Sequence, residues 1–217
     1  MSPHHWPLLE LRVTTPRLEL RPPDQATACA LVDLAARGIH DPDFMPFERP
    51  WTRRPSPAFE RESFQYFSRC WAGWTAQRWE LPFAVWVDGE VVGVQGIDAT
   101  DFAGRRTFTT GSWLGRDHQG QGLGKEMRAA VLHFGFEGLG ADRAETGAFH
   151  DNAPSLAVTR ALGYEPNGDE IKLRDDEPTR CLAFKMGRDT WLRRRRDDIA
   201  VSGLADCLDL FGVPPGP

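Results

Sequence analysis

The chain has 217 residues, 41% of them hydrophobic and 26% charged, which suits one soluble globular domain with a sizeable core. A formal net charge of -5 argues against nucleic-acid binding driven by overall charge. No apolar run approaches membrane-spanning length, and the opening MSPHHWPLLELR lacks a basic stretch followed by an apolar one, so neither a membrane span nor a signal peptide is expected.

The first regular element is a strand at Arg17–Pro22 (RLELRP), which alternates polar and apolar residues and stops at prolines. Asp24 then caps a helix carrying Ala28, Leu31, Val32 and Leu34, which Gly38 ends. His40–Pro57 holds five prolines together with Phe44, Phe47 and Trp51, so it is a rigid loop that either serves function or covers the core. Ala58–Trp79 reads as a helix whose Phe59, Phe64, Phe67, Cys70, Trp71 and Trp74 form a core-facing side. Asp88-Gly89 sits between two apolar runs, so strands near Phe83–Val87 and Val91–Ile97 form a hairpin. Thr107–Leu114 follows as a third strand, where Gly111 hints at a bulge or a close backbone approach.

A helix over Leu123–Glu137 comes next, with Met127, Val131 and Phe134 on one face, and then a strand over Arg143–His150. Asn152 caps a short helix that Pro154 suits in its first turn and Gly163 terminates. Thr179–Gly187 is the last clear strand. The expected order is β-α-α-β-β-β-α-β-α-β-β, an α/β fold whose mixed, mostly antiparallel sheet is flanked by helices. Residues 1–187 form the domain and 188–217 a C-terminal extension. In the extension, Arg193–Asp198 (RRRRDD) reads as a solvated helix face and LFGVPPGP as an extended or frayed end. The cysteines Cys29, Cys70, Cys181 and Cys207 follow neither metal-ligand nor disulfide spacing, so reduced, mostly buried thiols in a cytoplasmic protein without a bound metal are expected.

The segment WLGRDHQGQGLGKEMRAAVLHF places Gly120, Gly122 and Gly124 between a strand and a helix. Such a turn exposes backbone N–H groups that have no partner inside the helix, at the end where the dipole favours negative charge. It is an anion pocket suited to phosphate. The dinucleotide fingerprint fails because Lys125 stands where its third glycine belongs. The nucleotide-triphosphate loop fails because Glu126 follows Gly124-Lys125 and Gln119 replaces the first glycine.

What matches is Q-x-x-G-x-G at Gln119, Gly122 and Gly124, followed by N-x-x-S at Asn152 and Ser155 and by ALGY at Ala161–Tyr164. Together these resemble the GNAT superfamily of N-acetyltransferases over roughly Leu11 to Gly187. The opening TPRLELRP and the strand GSWLG resemble its RimJ/RimL branch. HWPLLELRVTTPRLEL and GIHDPDFMPFERPWT are more specifically similar to an actinobacterial subgroup that includes a mycobacterial succinyltransferase. The resemblance implies acetyl-CoA or succinyl-CoA as donor and an amine-bearing acceptor, either a small molecule or a peptide or protein amine. Dimers are common in that branch, so a homodimer is an expectation; nucleic acid and membrane are not expected partners.

The resemblance also implies roles. The pantetheine arm pairs with the backbone near Trp113 and Leu114, in a gap between the strand ending GSWLG and the strand Arg143–His150. The diphosphate rests on the amides of Gln119, Gly120, Gln121, Gly122, Leu123, Gly124 and Lys125. Asn152 holds a pantetheine amide, although plain helix capping is open beside that role. Ser155 is the candidate catalytic residue, donating a proton to the departing thiolate; it can instead hydrogen-bond its own helix. The commoner tyrosine position is Thr159 here, and the strand position where many members carry a glutamate base is Thr109. Asp98, Asp101 and His150 are the substitutes within reach of strand ends, and a water chain is the alternative. His118 binds phosphate or faces solvent. The missing glutamate keeps open a noncatalytic acyl-CoA-binding protein of the same fold. For a succinyl donor, Arg49, Arg53, Arg54 and Arg105 are available cations. The loop His40–Pro57 and the helix after it are expected to wall the acceptor site.

Overall fold

Asp88 and Gly89 both take positive φ, 49° and 85°, which is the backbone that a two-residue turn between right-twisted strands requires. The turn joins β3 (Arg78–Val87) to β4 (Glu90–Thr100), the best-paired hairpin at the middle of the sheet. The structure is a computed structural model that describes residues 5–214.

Around this hairpin a nine-stranded sheet is ordered β7-β8-β6-β5-β4-β3-β2-β1-β9. The outer strands are β1 (Arg12–Thr14), β2 (Glu19–Arg21) and β9 (Ala200–Ser202) on one side, and β7 (Glu165–Arg174) and β8 (Glu177–Gly187) on the other. Between β4 and β8 lie β5 (Thr107–Leu114) and β6 (Arg143–Phe149). All neighbours pair antiparallel except β5 and β6, which run parallel. The helices are α1 (Gln25–Ala36), α2 (Ala58–Ala72), a short α3 (Phe102–Arg105), α4 (Leu123–His133), α5 (Ala153–Leu162) and α6 (Arg188–Leu192).

Alternation along each strand divides the core between the two faces of the sheet. Phe83, Val85, Phe108 and Leu114 join Met127, Val131 and Phe134 on the α4 side, whereas Ala84 and Val94 join Leu31, Phe59 and Phe67 beneath α1 and α2. Asp24 accepts from the Thr27 N–H at 2.7 Å and caps α1 as its sequence predicts. Gly163, at φ 90°, closes α5.

Several expectations need correction. The helix read over Ala58–Trp79 ends at Ala72, with Gly73 as its C-cap, and Trp79 is a buried residue of β3. Trp79, Leu81, Phe83 and Val85 fall at every second position and are all buried, a period that serves a strand better than another helical turn. The opening strand is a hairpin, β1 with β2, in which the Arg17–Pro22 run supplies only the second strand. The helix Leu123–Glu137 stays α-helical to His133 and finishes as a π turn over Phe134–Gly138, where Gly135 lies so close to the Phe108 ring that a Cβ would stand 2.4 Å from it. Arg193–Asp198 is solvated but forms a turn after α6, not a helix face.

The extension packs into the main core. Trp191, Ile199, Cys207 and Phe211 are buried there, and β9 pairs with β1. Residues 1–4 and the tail end 215–217, part of LFGVPPGP, lie outside the described residues. The four thiols are all free, with Cys70, Cys181 and Cys207 buried and Cys29 exposed. Among the described residues no helix is long and apolar enough to cross a membrane, and no group of three or more His, Cys, Asp or Glu is placed to hold a metal ion.

Phe211 meets Trp74, Trp79 and Phe134 at ring-centroid distances of 5.3, 5.0 and 5.6 Å. Phe211→Ala is expected to lower unfolding free energy by about 3–5 kcal/mol, measured by chemical denaturation. A cost under about 1 kcal/mol contradicts the integration of the extension into the core.

Candidate functional site

Parallel pairing between β5 and β6 covers only Thr107 with Arg143, Phe108 with Ala144 and Thr109 with Glu145. Beyond that point β5 stays with β4 as far as Leu114 and Gly93, while β6 follows β8 as far as Phe149 and Cys181. The two strands therefore part, and the backbone of Gly111–Leu114 is left with one open edge. An open edge of N–H and C=O groups can pair with an extended, amide-bearing ligand. Trp113 and Leu114, the residues expected to pair with such an arm, lie on this stretch.

The glycine turn continues from the end of β5. Gln119 ties it down with its side chain, whose Nε2 donates to the carbonyls of Ile39 and Leu114 at 2.8 and 2.9 Å. Its backbone N–H already donates to Arg116 at 3.2 Å, so the row of open donors begins at Gly120, one residue later than the motif suggests. Gly120 and Gly122 hold φ at 74° and 80°, a region that L side chains rarely adopt. The first helical bond of α4 joins the Glu126 N–H to the Gly122 carbonyl at 3.2 Å. The N–H groups of Leu123, Gly124 and Lys125 precede that ladder, and no side chain caps them. Gly120, Gln121, Gly122 and Lys125 are exposed, so the donors face a ligand's approach. His118, with Arg37 and Arg116, lines a depression beside the turn.

A buried acid braces this helix end. Glu126 accepts from Thr15 Oγ1 at 2.6 Å and from Arg17 Nε at 2.7 Å, and Arg17 also donates to the Gln121 carbonyl at 3.1 Å. Burial pushes the Glu126 carboxyl up, but the Thr15 and Arg17 hydrogen bonds outweigh it and hold it below its ordinary range. The sequence motif gave no sign of this brace, because its partners lie more than a hundred positions apart.

At the N-terminus of α5, Asn152 Oδ1 accepts from the Ser155 N–H at 3.3 Å. Asn152 therefore caps the helix, and capping leaves its NH2 group free for a ligand amide. Ser155 is half-buried on the first turn, while Thr159 is buried one turn further in.

The opposite face of the parting strands has a row without large side chains, because Pro82, Gly96 and Gly111 follow one another in register across β3, β4 and β5. One row along, Ala84, Val94 and Trp113 are in register, and Trp113 packs 6.2 Å from Trp51, which stacks on Phe59 at 5.8 Å. Trp51 and Phe47 belong to the proline-rich loop, which thus forms an aromatic wall. The row on the other side is Glu80, Asp98, Thr109 and Glu145. Asp98 is the direct cross-strand neighbour of Thr109. Its side chain is exposed, yet the surrounding protein, with the like charge of Glu80 adding to it, pushes its carboxyl up to about 6. Glu80 accepts a 2.5 Å hydrogen bond from the Tyr66 hydroxyl of α2. The other two substitutes lie apart: Asp101 is the left-handed N-cap of α3, and His150 sits beyond the far end of β6 against the Arg180 carbonyl.

The loop is also clasped from across the site. Lys172 of β7 bonds Glu48 at 3.0 Å, and Arg53 pairs with Asp175 of the β7–β8 turn at 3.0 Å. Asp175 and Asp176 have φ of 54° and 65°, a two-residue turn made by an aspartate pair in place of the usual glycine.

A family model described as "Acetyltransferase (GNAT) domain" matches residues 17–165. Among solved structures, RimJ of Mycobacterium smegmatis in complex with a CoA disulfide is 19% identical, with 87% of this chain and 95% of that one covered at a TM-score of 0.63. RimL, a ribosomal L7/L12 alpha-N-protein acetyltransferase in complex with coenzyme A, is 18% identical, with 81% and 97% covered at 0.64. An acetyltransferase of the GNAT family from Bacillus anthracis is 18% identical, with 82% and 99% covered at 0.63.

Arg17→Ala is expected to cost about 1–3 kcal/mol at neutral pH, by leaving buried Glu126 short of a partner. A depressed carboxyl stabilises the fold above its unfolded range and loses that contribution as pH falls through its folded value. The difference between wild type and variant must therefore shrink on acidification below the ordinary glutamate value of 4.5. Denaturation curves across that range check it; a pH-independent difference contradicts the brace.

Proposed function

We propose, because this chain belongs to the GNAT family of acetyltransferases, that it moves an acyl group from coenzyme A to a primary amine by direct attack. The observation that carries this reading is the joining of two features on β5: an open strand edge that continues straight into a phosphate-suited row of amides. Coenzyme A has a matching order, an amide-bearing pantetheine arm attached to a diphosphate.

In this reading the diphosphate rests on the amides from Gly120 to Lys125, where the partial positive charge of the α4 end favours it. The arm pairs with β5 at Trp113 and Leu114, and the Asn152 side chain holds one of its amides. A backbone N–H of that open edge receives the thioester oxygen as charge develops on it. The amine comes from the α1/α2 side, over the row Pro82, Gly96 and Gly111, with its apolar body against Trp51 and Trp113.

An amine with a pKa of roughly 10.4 must lose a proton before or during attack. Asp98 takes that role, because it lies beside Thr109, the position where related enzymes carry a glutamate. Its carboxyl, pushed up to about 6, is ionised at neutral pH and accepts a proton more readily than an ordinary aspartate. Ser155 donates toward the departing sulfur. The absence of glutamate at Thr109 favours one second reading, a noncatalytic acyl-CoA sensor, and release of free thiol in the presence of an amine panel separates the two.

The finer donor is acetyl-CoA or succinyl-CoA. A succinyl carboxylate requires a cation, and in the flanking loops Arg53 and Arg54 are already paired, with Asp175 at 3.0 Å and Glu62 at 3.3 Å. Side-by-side kcat/KM for the two donors distinguishes them. The acceptor is an amine on an apolar body, and sedimentation measures the expected homodimer.

Asp98→Asn should lower kcat about 10²-fold with little change in donor KM. It should also remove the rise of kcat/KM with pH that wild type shows through about 6. Ser155→Ala should lower kcat about tenfold at unchanged donor affinity. An unaltered pH profile in the Asp98 variant sinks its assignment as base.

A further inference from the structure

Between β5 and β6 the linkage changes in steps. At Thr109 and Glu145 the strands pair directly through the backbone. One residue on, side chains carry the connection: Thr146 Oγ1 donates to the Thr110 carbonyl at 2.9 Å, and Thr110 Oγ1 lies 3.4 Å from the Glu145 carbonyl. Further out, the connection passes through a third side chain. Arg128 Nη1 donates to Thr146 Oγ1 at 3.2 Å, and its Nη2 donates to Ser112 Oγ at 3.0 Å. Each step adds atoms between the strands, so the gap widens.

Arg128 is 3% exposed, and its Nε has no hydrogen-bond partner. Among the described residues no carboxylate lies within ion-pair distance of it. A buried cation without a counter-charge is costly, and an apolar side chain of the same size fills a core more favourably. Core packing therefore does not explain an arginine at this place. Its position on the chain does: it lies in the second turn of α4, whose first turn carries the phosphate-suited amides and is braced by Glu126 to Thr15 and Arg17.

We propose that Arg128 is a positioning residue that couples the two halves of the coenzyme site: its guanidinium forms a rung across the parted strands, sets the width of the gap that receives the pantetheine arm, and fixes that gap relative to the diphosphate amides. The inference rests on the acyl-CoA reading. Its signature is selective. Removing the rung disturbs a ligand that occupies the gap and leaves alone one that touches only the turn.

The test titrates wild type, Arg128→Met and Ser112→Ala with coenzyme A and with 3′-phospho-ADP, which has the diphosphate but no arm. Arg128→Met should weaken coenzyme A about tenfold, as loss of charge-assisted hydrogen bonds predicts, and change 3′-phospho-ADP by less than about twofold. Ser112→Ala should show the same selectivity with a smaller effect. In turnover, KM for the donor should rise in proportion while KM for the amine stays put. Equal weakening of both ligands means that Arg128 only stabilises the fold, and overturns the inference, as does unchanged coenzyme A affinity in a folded variant. If Arg128→Met does not fold, unchanged coenzyme A affinity in both Ser112→Ala and Thr146→Val overturns it. A wild-type protein that binds neither ligand removes the acyl-CoA reading and this inference with it; one that binds both tests the rung alone.

Discussion

The parting of β5 from β6 is the constraint on which the rest depends. A parallel pair normally continues its ladder, since unpaired N–H and C=O groups at a buried edge are expensive. Here the ladder stops at Thr109 and Glu145, and each strand keeps its outer neighbour. Along the open edge of β5 the Leu114 carbonyl is held by Gln119, and the groups without a protein partner are left to solvent or to a ligand that offers amides. Because β5 runs directly into the glycine turn, the edge and the anion site share one axis. A ligand with both an amide chain and a diphosphate meets them in order.

The surrounding structure serves to hold this unsatisfied place open. Glu126, Thr15 and Arg17 pin the start of α4 to the β1–β2 turn, while Gln119 pins the loop to β5 and to the end of the α1 connection. Arg128 and Thr146 link the two strands through side-chain hydrogen bonds to Ser112 and to the Thr110 carbonyl. On the other face, two ion pairs clasp the proline-rich loop to the β7–β8 hairpin, so the aromatic wall stands over a floor of Pro82, Gly96 and Gly111. The floor's lack of large side chains and the carboxylates beyond it make one surface suited to a cationic amine.

Much of this was legible in the sequence, for local reasons. The Asp88-Gly89 turn, the Asn152 cap, Gly163 and the glycines at 120 and 122 each impose a backbone geometry that neighbouring residues cannot override, and the structure places all of them as read. Sequence pattern and structure differ where two periods compete. Trp74 and Trp79 both continue an aromatic stripe, yet Gly73 interrupts the helix between Trp71 and Trp74, and the alternation of Arg78–Val87 then takes over. The β7–β8 turn is not legible in the sequence, because an aspartate pair is a weak turn signal. The side-chain connections that brace the site, Glu126 to Arg17, Arg128 to Ser112 and Asp98 beside Thr109, join residues that no local spacing brings together. Only register across the sheet sets Asp98 beside Thr109.

A crystal structure with coenzyme A bound tests the central claim most directly. The account predicts diphosphate oxygens at about 2.9 Å from N–H groups between Gly120 and Lys125, with the pantetheine amides bonded to β5 at Trp113 and Leu114. A coenzyme seated elsewhere, or strands β5 and β6 closed against each other with the arm outside, would contradict it.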